Sequence, residues 1–294
     1  MKNILTICFI LIHTWSLAGN NKQAPWYIVQ ISDPQLGFTE KNESMEPEII
    51  SFQKAIQKIN SLQPEILVIT GDFVNSSRNK NQIKKFKELC HLISPKILIY
   101  KVPGNHDIGN SNNTENIDFY NAQYGKDHFC IIHKGIQLIG INSCLIKDNA
   151  PQQEQQFQWL HKKLKQKYKI RKRIVFGHHP FFLSNISEKE SYSNMPIRTR
   201  KIYNSLFLRH HVSYYFAGHL HNNAVTENDG IEYITTSTPG KQLGNALPGV
   251  RIIQIKNKKI SHLYIPIEEI PESQVELERL FNNSSNHTED IIKH

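Results

Sequence analysis

Short apolar segments rich in isoleucine, valine and tyrosine recur along this sequence, and nearly every one ends in a polar or glycine-rich cluster. Segments of this length and composition are typical of β-strands in a well-covered sheet. Amphipathic patterns between them are typical of helices. Because strands and helices alternate early in the chain and strands follow one another closely later, we expect an α/β fold with two packed sheets covered by helices. The predicted strands are residues 26–31, 66–70, 97–102, 137–142, 173–176, 213–217, 231–235, 250–255 and 260–265, and the predicted helices are 48–62, 82–93, 154–168 and 197–210.

The length of 294 residues is enough to bury a full core. With 39% hydrophobic and 21% charged residues, the composition excludes disordered, collagenous and multi-span membrane proteins. No Pro/Ser/Gly-rich linker or block of charge interrupts residues 26–270, so we predict one domain there. Residues 271–294 are predicted to be a polar C-terminal tail.

The amino terminus has the order of a secretory signal over residues 1–18. Lys2 supplies the positive start, residues 4–12 the apolar stretch, and Ser-Leu-Ala at residues 16–18 a cleavage site. The apolar stretch is too short for a stable membrane anchor, so we expect an exported protein, periplasmic or secreted. Three cysteines remain after cleavage, and their odd number and irregular spacing predict buried free thiols. They are Cys90, Cys130 and Cys144.

The formal net charge is +9, and basic residues are dense over residues 162–173. No aromatic residues alternate with them as in a nucleic-acid-binding surface, so we interpret this run as a solvated helix face and expect no nucleic-acid partner. A basic surface still favours the approach of an anionic substrate.

Polar clusters at five predicted strand ends contain the side chains that bind metal ions. Taken singly, each cluster is equally consistent with a turn or a helix cap. The carboxyl ends of strands in α/β folds converge on one crevice, so five clusters together predict one metal site. The clusters are Ser32-Asp33-Pro34-Gln35, Gly71-Asp72-Phe73-Val74-Asn75, Gly104-Asn105-His106-Asp107, Gly177-His178-His179-Pro180 and Gly218-His219-Leu220-His221.

This set resembles the signature of the calcineurin-like metallophosphoesterases, which is Asp-x-His, Gly-Asp, Gly-Asn-His-Asp/Glu, a later His and Gly-His-x-His. The resemblance covers residues 26–265. Four details are similar to the subfamily of complete S-transactivated protein, a serine/threonine phosphatase of animals. They are Asp-Pro-Gln at residues 33–35 in place of Asp-x-His, Gly-Asp-Phe-Val-Asn at residues 71–75, the stretch at residues 192–196 followed by Arg200, and Gly-Lys-Gln-Leu-Gly at residues 240–244.

The resemblance implies a four-layer α-β-β-α sandwich of two mixed β-sheets, with two divalent ions (Mn, Fe or Zn) at the strand ends. Carboxylate, amide and imidazole ligands suit these ions. Mn is favoured at the ion next to Gln35, because an amide oxygen is a harder and weaker donor than imidazole. Carried over by position, the ligands of the first ion are Asp33, Gln35, Asp72 and His221, and those of the second are Asp72, Asn105, His178 and His219.

The resemblance also implies a reaction in which a hydroxide between the ions attacks the phosphorus of a phosphomonoester. His106 would protonate the leaving oxygen. Phosphoprotein phosphatases have an Asp that orients this His at the position of Asn75, whose side chain we expect to hydrogen-bond His106. Asp107 completes the motif and is a third catalytic candidate, whereas His179 is expected to support the site without binding metal. The candidate substrate contacts are Asn105, Tyr192, Asn194, Arg198 and Arg200.

Two alternatives stay open at this point. The same metals serve diesters, so a phosphodiesterase acting on cyclic nucleotides or phospholipid head groups is the first. The second is a degenerate site that binds phosphate without turnover, although Gln35 is the one departure from the ligand set. No P-loop, His-Glu-x-x-His, Gly-x-Ser-x-Gly or Gly-x-Gly-x-x-Gly motif supports another class. The expected partner is a phosphorylated small molecule or protein.

Overall fold

The computed structural model describes residues 24–109, 112–166 and 169–285, and the predicted signal at residues 1–18 lies outside them. The described strands are β1 (Trp26–Ile31), β2 (Ile66–Thr70), β3 (Leu98–Val102), β4 (Phe129–His133), β5 (Ile136–Gly140), β6 (Lys172–Phe176), β7 (Val212–Ala217), β8 (Ala224–Asn228), β9 (Ile231–Thr235), β10 (Gly249–Lys256) and β11 (Lys259–Pro266). The described α-helices are α1 (Glu46–Leu62), α2 (Lys80–Cys90), α3 (Asn105–Ile108), α4 (Thr114–Tyr124), α5 (Ser143–Lys147), α6 (Gln153–Leu164), α7 (Ile197–Arg209) and α8 (Gln274–Ser285).

The strands form two mixed sheets, with the orders β11-β10-β1-β2-β3 and β4-β5-β6-β7-β9-β8. In the first sheet β1, β2 and β3 are parallel, β10 pairs antiparallel with β1, and β11 pairs antiparallel with β10. In the second sheet β5, β6, β7 and β9 are parallel, with β4 and β8 antiparallel at the two edges. Helices connect the parallel strands β1, β2 and β3 of the first sheet and β5, β6 and β7 of the second, as in β-α-β units, whereas β8 lies between β7 and β9 in the chain.

Three apolar layers hold these elements together. One fills the space between the two sheets and contains Ile28, Val68 and Phe176. A second lies outside the first sheet, under α1, α2, α4 and α8, and a third lies outside the second sheet, under α6 and α7. Three apolar layers between four structural layers confirm the predicted α-β-β-α sandwich.

Helix boundaries differ from the sequence predictions where capping decides them. The helix α2 begins two residues earlier than predicted, because the Asn79 side chain accepts hydrogen bonds from the N–H groups of Asn81 and Gln82. The helix α1 also begins two residues early, with a proline in its first turn. The helix α6 ends at Leu164, before the basic run is complete.

The structure adds elements that hydrophobic periodicity does not reveal. The edge strands β4 and β8 are half exposed; β8 mixes polar with apolar residues, and β4 carries an apolar run of four residues, 129–132, that the predicted strands do not include. Part of the predicted tail forms α8, which buries Leu277 and Phe281 in the core outside the first sheet. The domain therefore extends beyond residue 270, to the end of α8.

The three cysteines have no disulfide partner, but Cys90 and Cys130 are half buried and only Cys144 is fully buried. Over the described part of the chain, no helix has both the length and the apolar character needed to cross a bilayer.

Strand register brings the carboxyl ends of the parallel strands to one edge of the sandwich. In the first sheet Ile31 is paired with Ile69, and Thr70 with Val102. In the second sheet Phe176 is paired with Phe216. The five polar clusters begin immediately after these residues, so the register places all of them along the same edge.

Candidate metal centre

Two carboxylates of the site follow β1 and β2. Asp33 and Asp72 each lie two residues beyond a strand end, and the backbone N–H of Asp33 donates to the carbonyl of Gly71 at 3.1 Å. This bond holds the two loops side by side. Both carboxylates are almost completely buried, at 0% and 2% exposure. Burying two carboxylates together costs free energy unless positive charge compensates them.

The ring of His178, beyond the end of β6, links the second sheet to the first. Its Nδ1–H donates to the carbonyl of Thr70 at 2.9 Å, so Nε2 is the ring nitrogen that faces the other candidate ligands. Nε2 lies 3.3 Å from Asp72 Oδ2 and 3.2 Å from Asn105 Oδ1. One ligand atom each of Asp33, Asp72 and His178 lies within 4.8 Å of the others. A backbone tether on the far ring nitrogen is typical of metal-binding histidines.

His219 and His221 follow β7 and surround the same carboxylates. The backbone N–H of His219 donates to Asp33 Oδ2 at 2.9 Å, and His219 Nδ1 faces His178 Nε2 at 3.2 Å. His221 Nδ1 donates to the carbonyl of Lys241 at 2.5 Å, leaving Nε2 at 3.6 Å from Asp33 Oδ1. Both histidines therefore present ring nitrogens to the buried acidic pair.

Gln35 adds an amide oxygen with no partner. Its Nε2 donates to Asn75 Oδ1 at 3.1 Å, and its Oε1 is buried without a hydrogen bond. A buried polar atom left unsatisfied costs about 1–3 kcal/mol. A cation bound by this oxygen would remove that cost, so Gln35 fits a ligand position.

Backbone strain is concentrated at the candidate ligands. A non-glycine residue in the left-handed region costs on the order of 1–3 kcal/mol, and such residues cluster at functional sites. Five candidate ligands have positive φ: Asp33 (54°), Gln35 (33°), Asp72 (49°), His219 (75°) and His221 (47°). The strained backbone at these five residues therefore coincides with the place where their side chains come together.

The charges at the centre favour a cation. Burial by itself would raise the pKa of Asp72, but the neighbouring His178 lowers it below its ordinary value. Burial lowers the pKa of His178, but Asp72 and Asp33 outweigh this and raise it to about 10. A field that stabilises an imidazolium so strongly also stabilises a metal ion. The carboxylate and imidazole donors, the negative electrostatic field around them and the unsatisfied Gln35 oxygen together fit a divalent metal ion.

Two glycines permit this close approach of the loops. Gly71 has φ of +85°, and a Cβ at that position would lie 2.5 Å from His178 Nδ1. A Cβ at Gly218 would lie 1.6 Å from Ser32 Oγ. Any larger residue at either position would separate the ends of the two sheets.

His106 is oriented by a backbone carbonyl, not by the predicted side chain. Its Nδ1 donates to the Asn75 carbonyl oxygen at 2.8 Å, and its backbone N–H donates to Asp72 Oδ1 at 2.8 Å. The Asn75 side chain instead accepts from Gln35 and donates to Asn42 at 2.9 Å. The expectation that the Asn75 side chain contacts His106 is therefore wrong, because that amide is already engaged by two other amides.

Asp107 organises loops and is not aimed at the centre. Its carboxylate accepts from the backbone N–H groups of Phe73 at 2.7 Å, Val74 at 3.4 Å and Gly104 at 2.8 Å. Burial and the nearby charge of Asp72 raise its pKa well above the ordinary value. Asp107 thus holds the loops after β2 and β3 together, which differs from the predicted catalytic role.

Ser143, which no sequence motif indicated, supports the histidine pair after β6. Its Oγ accepts from the backbone N–H groups of His178 and His179 at 2.9 Å each. Its own Oγ also lies 3.3 Å from His179 Nδ1. His179 packs 4.4 Å from the His219 ring between centroids, and burial and His219 hold its pKa well below the ordinary value.

Two of the predicted substrate residues, Asn105 and Tyr192, lie at the centre. The Tyr192 ring packs 4.6 Å from the His219 ring, between centroids, and its hydroxyl lies near the Asn105 side chain. With 66% of its surface exposed, Tyr192 stands at the mouth of the site.

The other predicted substrate residues have different contacts. Arg200 is fully buried and donates to the backbone carbonyls of Met195, Ile186 and Glu188. Asn194 is buried and bonds within its own loop. Arg198 lines a separate surface cavity beside the start of α6. The structure does not bring these three side chains to the metal ligands, because each is directed to the loop or helix around it.

A four-layer sandwich whose strand ends gather aspartate, histidine and asparagine defines a metal-dependent phosphoesterase. The model of the family described as calcineurin-like phosphoesterase matches residues 27–223. The chain belongs to this family, whose members are metal-dependent hydrolases of phosphoric esters.

Curated relatives agree with this assignment, and solved structures share the fold. The serine/threonine-protein phosphatase CPPED1 of Danio rerio is 30% identical over 268 residues, covering 84% of this chain and 87% of that protein. The human protein of the same name is 29% identical over 276 residues, covering 86% and 88%. A purple acid phosphatase from yellow lupin has the same fold, with a TM-score of 0.66 at 12% identity, over 85% of this chain and 53% of that one. A dimetal phosphatase from Danio rerio has a TM-score of 0.58 at 13% identity, over 82% and 99%.

Proposed function

We propose that this protein is a dinuclear metal-dependent phosphatase that hydrolyses phosphomonoesters, with phosphoserine or phosphothreonine of a protein as its substrate. The observation that carries the proposal is the convergence of Asp33, Asp72 and His178 within 4.8 Å, all buried, from the ends of strands in both sheets. The substrate class is supported by the name of the relatives, which are serine/threonine-protein phosphatases.

Two ions would share Asp72. Asp33, Gln35 and His221 would complete the first ligand set, and Asn105, His178 and His219 the second. When bound, the ions would supply positive charge that binds the phosphate and lowers the pKa of water, so that a nucleophile forms near neutral pH. The backbone tethers on His178 and His221 direct their Nε2 atoms towards the acidic pair.

His106 would act as the general acid. Its Nδ1–H is held by the Asn75 carbonyl, so Nε2 is the atom that carries the transferable proton. As water forms the new bond to phosphorus and the bond to the leaving group breaks, Nε2 gives its proton to the leaving oxygen. The backbone N–H of His106 donates to Asp72, which fixes the ring relative to the metal ligands.

The proposed function is tested with the full-length protein, stripped with a chelator and reloaded with Mn, Zn, Fe or Mg. We expect activity on p-nitrophenyl phosphate and on phosphoserine and phosphothreonine peptides, absent after stripping and restored by metal, with about two ions per chain. Loaded protein without activity on any of these esters would refute the proposal and favour phosphate binding without turnover.

Phosphodiester hydrolysis is a second candidate, favoured by one relative. A probable cyclic nucleotide phosphodiesterase of Vesicomyosocius okutanii is 25% identical over 225 residues, covering 74% of this chain and 88% of that protein. Bis-p-nitrophenyl phosphate and cyclic nucleotides in the same assay decide between the two. A kcat/KM for diesters above that for monoesters would select this candidate.

Gln35 is expected to make the first ion labile. An amide oxygen is a weaker donor than an imidazole nitrogen, so that site should lose its ion first and favour Mn over Zn. After dialysis the wild type should keep fewer than two ions per chain and regain activity with Mn. Gln35→His should keep about two, as counted by mass spectrometry of the metals.

Two further variants control this experiment. Gln35→Leu removes the oxygen donor and should bind the first ion more weakly than wild type does, whereas Gln35→Glu adds a charged donor and should bind it more tightly. If all four proteins retain equal metal and show equal Mn dependence, Gln35 takes no part in metal binding.

A further inference from the structure

The segment of residues 183–196 crosses the mouth of the centre between β6 and α7. We refer to it as the Tyr192 segment. It has no helix or strand of its own, yet its backbone is fixed from several sides. Its inner end is stabilised by Glu188, which accepts from the backbone N–H groups of Leu183 at 3.0 Å and Ser184 at 2.8 Å. Burial opposes the charge of Glu188, but the hydrogen bonds from Ser184 and Asn194 outweigh it and lower the pKa to about 2.

Lys147, at the end of α5, attaches the part of this segment that carries Tyr192. Its Nζ donates to the carbonyl of Ser191 at 2.6 Å and to the carbonyl of Asn194 at 2.5 Å. These two carbonyls lie on either side of Tyr192 in the chain. From the other side, Arg200 donates to carbonyls of the same segment. Lys147 and Arg200 therefore hold the backbone around Tyr192 in place.

The Tyr192 ring is held against the centre but is largely uncovered. One side packs against the His219 ring, the hydroxyl lies near the Asn105 side chain, and 66% of the side chain stays exposed. Partial burial and the charge of Asp72 raise its pKa, so the phenol is neutral. A neutral phenol adds no positive charge that would attract a phosphate, but the face of its ring provides a surface for planar or apolar groups.

We propose that Tyr192 is a specificity-determining residue that contacts the leaving group of the ester, and that Lys147 is the positioning residue that holds it there. This inference rests on the proposed phosphatase function. Phosphate bound at the metal ligands would direct its ester group outwards, where the exposed Tyr192 ring stands beside His219. An ester with a planar aromatic leaving group is the probe that such a ring recognises best.

The test compares binding of the leaving group with binding of phosphate, using metal-loaded full-length protein. We expect Tyr192→Ala to raise the KM for p-nitrophenyl phosphate about threefold to tenfold, the range of an aromatic contact, with kcat within about twofold. The inhibition constant of inorganic phosphate, which has no leaving group, should change less than about twofold. A KM effect without a kcat effect indicates binding that is equal in the ground and transition states.

We expect Lys147→Met to raise the KM as Tyr192→Ala does, with kcat and the inhibition constant of phosphate changed less than about twofold. Lys147→Arg should have the wild-type KM, because arginine keeps donors for the two carbonyls. In the double variant of Tyr192→Ala with Lys147→Met, the effects should not add, since both remove one contact. Lys162→Met, on the exposed face of α6, is the matched control for the loss of a lysine and should leave KM unchanged. Circular dichroism verifies that each variant is folded.

Three outcomes would overturn the inference while leaving the phosphatase function in place. Equal changes in KM and in the inhibition constant of phosphate would show that Tyr192 acts on the phosphate or the metals. Weaker phosphate inhibition in Lys147→Met alone would show that Lys147 acts through its charge. An unchanged KM in Tyr192→Ala would show that the ring contacts no leaving group. Failure of the phosphatase function itself is recognised separately, because the wild type would then be inactive.

Discussion

Asp72→Asn is expected to abolish the metal-dependent activity, with kcat lowered by about 10³-fold or more. Asp72 is the one side chain that both proposed ligand sets share, so losing its charge weakens both ions at once. Metal-ion stabilisation of the transition state is worth several kcal/mol, and each 1.36 kcal/mol is about tenfold in rate. Metal content by mass spectrometry and kcat on a phosphoserine peptide measure the two effects.

The geometry allows this substitution to remove the charge of Asp72 without changing the shape of the side chain. An asparagine has the same shape as Asp72, and its side-chain oxygen can still accept the hydrogen bond from the backbone N–H of His106, which is 2.8 Å long in the structure. Asp118→Asn, the same change on the exposed face of α4, should retain both metal and rate. Near-normal turnover with two ions per chain in Asp72→Asn would show that this carboxylate does not bridge two metals.

His106→Ala is expected to keep its metal and lose rate, by about 10² to 10⁴ on a phosphoserine peptide. The His106 ring takes no part in the contacts among the proposed metal ligands. Its Nδ1–H donates a hydrogen bond to the Asn75 carbonyl oxygen. The loss should be much smaller on p-nitrophenyl phosphate, whose leaving group departs without protonation. The dependence of kcat on the leaving group therefore tests the proton transfer itself.

His91→Ala, at an exposed position after α2, is the control for removal of an imidazole and should behave as wild type. If His106→Ala loses the same factor on both substrates, the residue positions the phosphate. If it keeps full rate on the phosphopeptide, another group supplies the proton.

Residue patterns identified β1, β2 and β6, whose ends form part of the site, because these strands are buried along almost their whole length. A buried strand reads as a continuous apolar run, and its end is marked where polar residues and glycine begin. Nothing comparable marks β8, a half-exposed edge strand that mixes polar with apolar residues, whereas the half-exposed β4 carries an apolar run of four residues, 129–132, that the predicted strands leave out. The helix α8 was missed for a related reason: two buried side chains in a polar stretch do not form a recognisable pattern.

The atoms that act within the site were harder to predict than the residues. Asn75 was singled out for its side chain, yet its backbone carbonyl orients His106. A backbone oxygen is present in every residue, so no sequence signal distinguishes the one that is used. Asp107 likewise belongs to the motif, but its three backbone partners show that it holds two loops together.

The sequence by itself determined the order of strands and helices, the five polar clusters and the residue types that suit divalent metal, because each depends on neighbours close along the chain. Only the tertiary structure decided which distant groups meet. Lys147 reaches Ser191 across 44 residues, and Ser143 holds His178 across 35, whereas Arg200 turns into its own loop. Such contacts follow from how the two sheets and their helices pack, and packing depends on the whole chain at once.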